Sequence, residues 1–410
     1  MSTFRDLGVP TRLVEILNQR GITAPFPIQE ATIPDLMAGR DTLGRAPTGS
    51  GKTLAFGLPL VAKVGKATSR RPRALVLAPA RELAEQISRE LTPFAKASQR
   101  WVTAVYGGVG YESQRAALKR GADVLVATPG RLADLISEGA VSLADVDLVV
   151  VDEADRMADM GFLPQVRLLL DMTNPVRQTA FFSATLDQEV ASLTQRYQTD
   201  PVTHHVGGDD NHLEAAHYFW QVDATNRIGV TADIISSSTP TLVFTRTRHG
   251  ADKVARLLER EGIKAAAIHG GRSQSQRTRA LEAFGKKKVD ALIATDVAAR
   301  GIHVDGVSSV VHFDLAADHK DYLHRSGRTA RAGAAGVVVS LVMAEQLGDL
   351  RKLQRQAGFH NALHDPDNGW LSVEGGSRIG ERPVSPASPV RAANGQSRQS
   401  RGGRRNRRRR

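Results

Sequence analysis

Short apolar runs alternate along the chain with longer stretches in which apolar residues recur at helical spacing. Four of the runs lie in the first half, and they read ALVLAPA at 74–80, DVLVATP at 123–129, DLVVVDEAD at 147–155 and TAFFSAT at 179–185. A strand buried on both faces of a sheet requires such a run, whereas RELAEQISRELTPFAK, beginning at Arg81, has the spacing of an amphipathic helix. The alternation predicts an α/β fold with a mostly parallel sheet and helices on both faces.

The pattern of the first half recurs in the second half at a nearly constant offset. Three pairs of segments match: LVLAPAR at 75–81 with LVFTRTR at 242–248, DVLVAT at 123 with DALIAT at 290, and the strand ends at Asp152 and Asp314. The first two offsets are 167 residues and the third is 162. Such a repeat predicts two α/β domains of similar topology.

The repeat also predicts where the domains divide. The pattern breaks near GGDDN at 207–211, a composition typical of a linker. We expect a first domain over 1–207, a linker over 208–216 and a second domain over 217–365. Because ligands of parallel sheets bind outside the carboxyl ends of the strands, two such domains would place two binding rims around one cleft.

The net charge of +12 is concentrated at one end of the chain. Residues 371–410 contain 11 Arg, no Lys and 2 Glu, whereas the other 370 residues carry a net charge of only +3. The segment 366–410 has too few large apolar residues to offset chain entropy by burial, so it is predicted to be a disordered Arg-rich tail. Arginine binds phosphate oxygens and stacks on bases, so we expect the tail to bind RNA or another polyanion. A purely solubilising tail is the alternative.

The composition excludes several kinds of chemical site and bears on where in the cell the protein is expected. The chain has no Cys, which excludes disulfides, thiolate metal sites and cysteine nucleophiles. No window approaches the roughly 18 consecutive apolar residues of a membrane span, and MSTFRDLGVP at the start lacks the basic and apolar regions of a signal peptide. A cytoplasmic protein without a membrane partner is expected.

The strongest chemical signal is APTGSGKT at 46–53, which is followed by the apolar helical pattern LAFGLPLVAKV. The glycines let backbone N–H groups approach phosphates, Lys52 can reach the β and γ oxygens, and Thr53 can ligate Mg²⁺. The N-terminus of the following helix favours the same anion. The residues predicted to bind ATP here are Pro47, Thr48, Gly49, Ser50, Gly51, Lys52 and Thr53.

A second signal is the acidic quartet Asp152-Glu153-Ala154-Asp155 after the apolar run LVVV. Carboxylates at a strand end can hold a metal through water, and Glu153 can orient or deprotonate an attacking water. An acidic strand end that only caps the next helix is the alternative. Paired with the phosphate loop 100 residues upstream, the quartet is predicted to be catalytic, with Thr53, Asp152 and Glu153 at the metal.

These motifs resemble those of the DEAD-box RNA helicases, and further motifs of that family follow in the same order. The first half contains GITAPFPIQ at 21–29, PARELA at 79–84, Gly107-Gly108, TPGR at 128–131 and SAT at 183–185. The second half contains VFT at 243–245, HGGRSQSQR at 269–277, ATDVAARG at 294–301 and HRSGRTAR at 324–331. The resemblance spans roughly residues 4 to 345 and implies two tandem RecA-like domains that bind ATP and RNA.

The resemblance implies roles in nucleotide binding. Phe4 would stack on adenine, and Gln29 would read the adenine edge with a two-way amide hydrogen bond. His303 stands where the family usually has an Asp that contacts the ribose, so its imidazole would take that contact with a charge that depends on pH. Pro47 stands where the family usually has a polar or small residue, a change that the loop should tolerate.

The resemblance also assigns a basic group to the triphosphate. Arg328 and Arg331 would reach across the cleft to the γ-phosphate as arginine fingers, with His324 beside them. The three residues are spaced i, i+4 and i+7, so a helix would place them on one face. A solvated helix face is the alternative reading of the same spacing.

RNA contacts follow from the same resemblance. Loops that carry Gly, Thr and Arg suit phosphate and sugar contacts, which hold a strand without reading its sequence. A role in a turn or a cap is the alternative for each residue. The implied contacts are Arg81, Gly108, Thr128 and Arg131 in the first domain and Arg246, Gly270, Arg272 and Thr295 in the second.

The sequence therefore predicts an ATP-dependent RNA helicase that separates short duplexes between two domains and hydrolyses ATP to release RNA. The alternative is an RNA-binding annealing chaperone or scaffold, in which His303 weakens the ATP cycle and the tail supplies most of the affinity. A translocating DNA helicase fits less well, because GITAPFPIQ and the acidic quartet are typical of the RNA enzymes. The sequence names no protein partner and no RNA target.

Overall fold

The chain forms two parallel sheets, and both are packed between helices. The computed structural model describes residues 2–47, 49–186, 188–206, 215–299, 306–330, 336–358 and 361–367. Several predictions fall outside these residues: those for Thr48, His303 and Arg331, for 208–214 of the linker and for 368–410 of the tail. The predicted fold class of two tandem RecA-like α/β domains is confirmed.

The first sheet has seven parallel strands within the described residues. They are β1 (Thr42–Arg45), β2 (Ala74–Leu77), β3 (Val102–Val105), β4 (Val124–Ala127), β5 (Leu148–Asp152), β6 (Gln178–Ser183) and β7 (Val202–His205). Their order across the sheet is β3-β4-β2-β5-β6-β1-β7. The helices are α1 (Thr11–Gln19), α2 (Pro27–Met37), α3 (Lys52–Lys63), α4 (Arg81–Ala97), α5 (Tyr111–Arg120), α6 (Pro129–Ser137), α7 (Ala154–Asp159), α8 (Leu163–Asp171) and α9 (Gln188–Tyr197).

The second sheet has six parallel strands in the described part of the chain. They are β8 (Ala215–Gln221), β9 (Thr241–Thr245), β10 (Ala265–Ile268), β11 (Ala291–Thr295), β12 (Ser309–His312) and β13 (Gly336–Val342), in the order β10-β11-β9-β12-β13-β8. The helices are α10 (Arg227–Ser237), α11 (Arg248–Arg260), α12 (Gln274–Gly285), α13 (Asp296–Ala299), α14 (His319–Ser326) and α15 (Leu347–Ala357), with a 3-10 turn at Ala344–Gln346. No helix among all these is long and apolar enough to cross a membrane.

The segments that match in sequence occupy corresponding places in the two sheets. β2 and β9 are third in their sheets, β4 and β11 are second, and β5 and β12 are fourth. The repeat in the sequence therefore reflects a repeated topology.

The start of the second sheet differs from the predicted boundary. β8 begins at Ala215 and pairs there with Gly336 of β13, so the expected linker over 208–216 overlaps the sheet by two residues. Ala215 and Ala216 are buried. Alanine has a low strand propensity, so these residues gave no strand signal in the sequence.

Apolar residues fill both faces of each sheet, which explains why the strands read as continuous apolar runs. In β2, Val76 packs into the cluster that contains α3 and α4, whereas Leu75 and Leu77 pack into the cluster on the opposite face. Successive side chains of a strand point to opposite faces, so a strand covered on both sides has no position that faces water. The carboxyl ends of the strands are the part of each sheet that remains available for chemistry.

Candidate nucleotide site and interdomain cleft

A glycine-rich loop joins β1 to α3 at the carboxyl edge of the first sheet. Gly49 and Gly51 have φ angles of 88° and 86°, a left-handed conformation that a side chain would strain. Lys52, the first residue of α3, is buried, and its Nζ donates to the carbonyl of Ala46 at 2.8 Å. Ser50 closes the loop by donating to the carbonyl of Pro47 at 2.8 Å. The loop thus places backbone N–H groups and one cation at a helix N-terminus, where a phosphate binds well.

The acidic quartet follows β5, which is separated from β1 by β6 alone. Asp152 is buried at the end of the strand, and its Oδ1 accepts from the N–H of Glu153 at 3.0 Å. Burial raises the pKa of Asp152 to about 7, although the nearby Lys52 ammonium opposes the rise. Glu153 has a φ of 53°, which is strained for a residue with a side chain. Strain of this kind commonly marks a functional turn.

The chemistry of Asp152 fits a divalent cation. Its carboxyl is withdrawn from water, so the ionised form is disfavoured until a positive charge compensates it. The residues that would hold Mg²⁺ here are Thr53, Asp152 and Glu153. No group of three or more His, Cys, Asp or Glu suited to a metal occurs in the described residues. Mg²⁺ does not require one, because it usually takes water and substrate phosphates as ligands.

The last residue of the quartet ties it to the end of β6. Oδ2 of Asp155 accepts from the N–H groups of Ala184 and Thr185 at 3.1 and 2.8 Å and from Oγ1 of Thr185 at 3.0 Å. The N–H of Asp155 donates to Oγ of Ser183 at 3.3 Å. The segment Ser183-Ala184-Thr185 is therefore hydrogen-bonded to the turn that carries Glu153.

The structure places the two residues predicted to bind adenine in different surroundings. Gln29 is only 1% exposed; its Oε1 accepts from the N–H of Phe26 and its Nε2 donates to the carbonyl of Gly51, both at 2.9 Å. The amide therefore holds the phosphate loop in place. Phe4 is 2% exposed and packs in the core beside α1. The adenine-stacking role implied for Phe4 stays a prediction, and little of its ring is accessible in this structure.

The aromatic ring that borders the phosphate loop is Phe26, which the sequence reasoning missed. Phe26 precedes α2 and is 49% exposed. A Cβ added to Gly51 would lie 2.6 Å from its Cδ2, so the ring rests against the loop. The available signal was an aromatic residue between two prolines, three positions before Gln29.

The two domains meet at a buried group of charged residues beside the cleft. Arg277 of α12 lies 2.6 Å from Oε1 of Glu82 at the start of α4. Nη1 of Arg81 donates to Oε1 of Gln274 at 3.3 Å, and Gln274 donates to Glu85. Burial raises the pKa of Glu82 and lowers that of Arg277. Glu82, Gln274 and Arg277 were not predicted, because nothing in either segment indicates its partner.

The basic segment HRSGRTAR at 324–331 begins on α14 and continues beyond the end of that helix. α14 ends at Ser326, and the N–H of Gly327 closes it on the carbonyl of Leu323 at 2.8 Å. Arg328 therefore lies in a turn, and the expectation that His324, Arg328 and Arg331 share one helix face is wrong for Arg328. The physical reason is Gly327, because glycine has a low helix propensity. His324 is half-buried on α14 and Arg328 is buried in the turn.

In the first domain, each residue predicted to touch RNA lies just after a strand. Arg81 follows β2, and its Nη1 lies 2.1 Å from where a Cβ on Gly108 would be. Gly108 has a φ of 83°, a left-handed conformation that favours glycine, and any larger residue would also displace the guanidinium of Arg81. Thr128 precedes α6. Arg131 is buried, with its guanidinium 3.9 Å from the centre of the Tyr111 ring.

In the second domain, the predicted RNA contacts follow the equivalent strands. Arg246 comes directly after β9 and is exposed, and its N–H donates to Oδ2 of Asp314 at 2.7 Å. Gly270 and Arg272 follow β10, and Nη2 of Arg272 donates to Asp252 at 2.6 Å. Thr295 ends β11 and is buried. The predicted contacts therefore lie at the ends of β2, β3 and β4 and of their counterparts β9, β10 and β11.

Two family models match the chain. The model described as DEAD/DEAH box helicase matches residues 26–193, and the helicase conserved C-terminal domain matches residues 226–333. The DEAD-box ATP-dependent RNA helicase CshA of Geobacillus kaustophilus is 37% identical over 382 residues, which cover 92% of this chain and 82% of that protein. The chain belongs to the DEAD/DEAH box helicase family.

Some relatives are much longer than this chain. The chloroplastic DEAD-box ATP-dependent RNA helicase 3B of Zea mays is 41% identical over 373 residues, which cover 88% of this chain and 50% of that protein. The chain thus spans about half the length of this relative. The structure of S. cerevisiae Dbp5 bound to RNA and ADP BeF3 superposes with a TM-score of 0.80 at 26% identity, covering 91% of this chain and 98% of that one.

A further arginine of this DEAD/DEAH box protein organises the second rim. The Arg325 guanidinium donates to both oxygens of Asp296 at 2.6 and 2.7 Å and to the carbonyl of Asp314 at 2.6 Å. Arg325 is buried. Because Asp296 follows β11 and Asp314 follows β12, these hydrogen bonds join α14 to the ends of both strands. They also hold the turn that follows α14 and carries Arg328. The sequence did not predict a role for Arg325, although it lies in HRSGRTAR between His324 and Arg328, which were both predicted to act at the γ-phosphate.

Proposed function

We propose that this chain is an ATP-dependent RNA helicase that binds RNA across both domains and separates short duplexes or remodels RNA and RNA–protein complexes. ATP would be hydrolysed to ADP and phosphate, and RNA would then be released. The observation that carries the proposal is that Lys52 and Asp152 lie at the same carboxyl edge of the first sheet, with only β6 between β1 and β5. The likeness to Dbp5 bound to RNA and ADP BeF3 supports it.

The first domain would bind the triphosphate and activate water. Backbone N–H groups of the loop over 49–51 and the Lys52 ammonium would hold the β and γ oxygens, since both lie at the N-terminus of α3. Glu153 would orient the attacking water and receive its proton. Mg²⁺ bound through Thr53, Asp152 and Glu153 would neutralise charge on the phosphates.

The second domain would complete the site when the domains close. His324, Arg328 and Arg331 would stabilise negative charge on the γ-phosphate, and Arg325 would hold that segment through Asp296. His303 would contact the ribose. Asp155 would transmit the loss of the γ-phosphate to Ser183-Ala184-Thr185 through the bonds to its carboxylate.

RNA would lie along the matching strand ends of the two sheets. Arg81, Gly108, Thr128 and Arg131 would contact the strand in the first domain, and Arg246, Gly270, Arg272 and Thr295 would do so in the second. Exposed Arg246 would contact a phosphate directly, whereas buried Arg131 would shape the loop through Tyr111. Such contacts favour phosphate and sugar over base edges, so little sequence specificity follows.

The test measures ATP turnover with and without single-stranded RNA, together with separation of a short fluorescent duplex. RNA should stimulate turnover, and ATP should speed strand separation. RNA binding and annealing without RNA-stimulated turnover would instead support the annealing chaperone, which the His residue at position 303 favours. A cytoplasmic location remains a prediction from the sequence.

A further inference from the structure

One edge of the second sheet is paired with a further segment of the chain, whereas the other edge is open among the described residues. At one edge, His364 adds to β8: its N–H donates to the carbonyl of Phe219 at 3.0 Å, and its carbonyl accepts from Gln221 at 2.8 Å. At the other edge lies β10, and no described residue pairs with its outer side. Open strand edges bind further strands readily, so natural proteins usually cover them. The edge at β10 is therefore a potential pairing surface.

The outer side of β10 forms the floor of a cleft. The cavity has a volume of about 830 Å³, and Ala265, Ala266 and Ala267 line it. α11 packs with Ala265 and Ala267 on one face of the sheet, and α12 packs with Ala266 on the other. Residues of both helices line the cavity and form its walls. We call this space the β10 cleft.

The backbone of β10 directs hydrogen-bonding groups into the β10 cleft. The carbonyl of Lys264 accepts from the N–H of Ala291, so Lys264 and alternate residues after it face β11. Ala265 and Ala267 consequently direct their N–H and C=O groups outward. Their side chains are methyl groups, which leave these backbone groups accessible to an incoming chain.

The walls of the β10 cleft carry more positive than negative charge. Lys253 and Arg256 line it from α11, and Arg279 lines it from α12; all three side chains are exposed. Glu259 is an exposed carboxylate on the same walls. Asp252 is bonded to Arg272 and His269, so its charge is already compensated. The net positive charge therefore favours a negatively charged occupant.

We propose that the β10 cleft is a docking site for an extended acidic segment of a partner protein. The segment adds to the second sheet as a strand beside Ala265 and Ala267, and its Asp and Glu side chains lie against Lys253, Arg256 and Arg279. Main-chain hydrogen bonds supply affinity, and the cations on the walls supply selectivity. A strand as short as β10 spans about 13 Å, so a segment of roughly four to six residues fits.

The same observations disfavour two other occupants. RNA does not present backbone donors and acceptors at the spacing of a β-strand, so it would leave the outward N–H and C=O groups of β10 unpaired. A second copy of this chain, paired edge to edge through β10, would bring two sets of cations together. An acidic polypeptide satisfies both the backbone groups and the charge.

Selection of random phage-displayed peptides on the full-length protein tests the proposal. Three forms of the protein are then compared by fluorescence anisotropy with the selected peptides: Lys253→Glu/Arg256→Glu, Ala267→Pro, and the control Lys286→Glu/Lys287→Glu at the far end of α12. Ala267→Pro removes one outward N–H and keeps the ladder with β11, a change that an edge strand tolerates. If circular dichroism shows that Ala267→Pro does not fold, the charge-reversal pair alone decides.

The proposal expects acid-rich peptides whose affinity falls at least roughly tenfold in Lys253→Glu/Arg256→Glu and in Ala267→Pro and stays unchanged in the control. RNA-stimulated ATP turnover should be the same in every form. Absence of enriched peptides, enrichment of basic peptides, or equal peptide affinity for all forms would overturn it. A tenfold loss of affinity for a uridine oligonucleotide in the charge-reversal form, without a change in peptide binding, would identify the cleft as an RNA surface and overturn it as well.

Discussion

Arg277 of the second domain lies 2.6 Å from Glu82 of the first, and the two side chains are only 4% and 6% exposed. Both charges are withdrawn from water, and burial shifts both pKa values towards the neutral forms. The pair compensates this desolvation across the domain contact. If the cleft opens, we expect both groups to regain water.

Arg277→Ala should slow RNA-stimulated ATP turnover by roughly tenfold without destabilising either domain, because Glu82 is left buried and uncompensated only in the closed arrangement. Arg279→Ala, on the same helix but exposed, is the matched control. Turnover and thermal unfolding are measured for both variants, and Glu82→Ala/Arg277→Ala completes a double-mutant cycle. Strictly additive losses in the cycle would show that the pair is not coupled.

Lys52→Ala should weaken ATP binding, whereas Glu153→Gln should leave binding intact and slow hydrolysis. Lys52 supplies a cation fixed at the phosphate loop, and Glu153 supplies the carboxylate that orients water. Nucleotide affinity and single-turnover hydrolysis are measured separately for the two variants. Normal RNA-stimulated turnover in Glu153→Gln would remove Glu153 from the catalytic role.

Phe26→Ala should weaken ATP binding about tenfold, since stacking of a base on an aromatic ring contributes about 1–3 kcal/mol. The exposed ring rests on the phosphate loop at Gly51, where a bound base comes within reach. Phe26→Tyr should retain the affinity. Trp101→Ala, another exposed aromatic of the same domain, serves as the control. Equal nucleotide dissociation constants for Phe26→Ala and the unmodified protein would contradict the assignment.

Acid should destabilise the second domain through His312. The imidazole is fully buried, with its ring centre 4.6 Å from that of Tyr322, and burial, Arg325 and His217 hold its pKa well below the ordinary 6.5. Because the unfolded chain binds the proton more readily, this stabilisation is complete above pH 6.5 and is lost as the pH falls below it. The slope should approach about 1.4 kcal/mol for each pH unit.

Denaturant unfolding between about pH 7.5 and 5.5 measures this slope. His312→Asn should lower it, and His249→Asn, which changes an exposed histidine on α11, should not. Parallel curves for His312→Asn and the unmodified protein would mean that another group titrates.

Deletion of residues 371–410 should lower RNA affinity and flatten its dependence on salt. The segment contains 11 Arg, and each phosphate contact releases counterions. ATP turnover at saturating RNA should be nearly unchanged, because every residue proposed to bind ATP lies before position 332. RNA affinities are compared over a range of salt concentrations. Equal salt slopes for the two proteins would exclude RNA contact by the tail.

The sequence by itself determined the fold class, the repeat and the identity of the main motifs. These depend on local order: an apolar run as long as 147–151 requires a strand covered on both faces, and glycines around Lys52 require a loop that admits phosphates. Each signal lies within one short segment. The matching offsets then predicted that the second domain repeats the topology of the first.

The tertiary structure decided which side chains meet and which are covered. Phe4 and Phe26 are both aromatic, but packing buries the first in the core of the first domain and leaves the second half exposed beside Gly51. The ion pair of Glu82 with Arg277 joins residues 195 positions apart, and neither segment encodes the other. Burial and long-range contact depend on how separately folded elements pack, so a single sequence read segment by segment does not contain them.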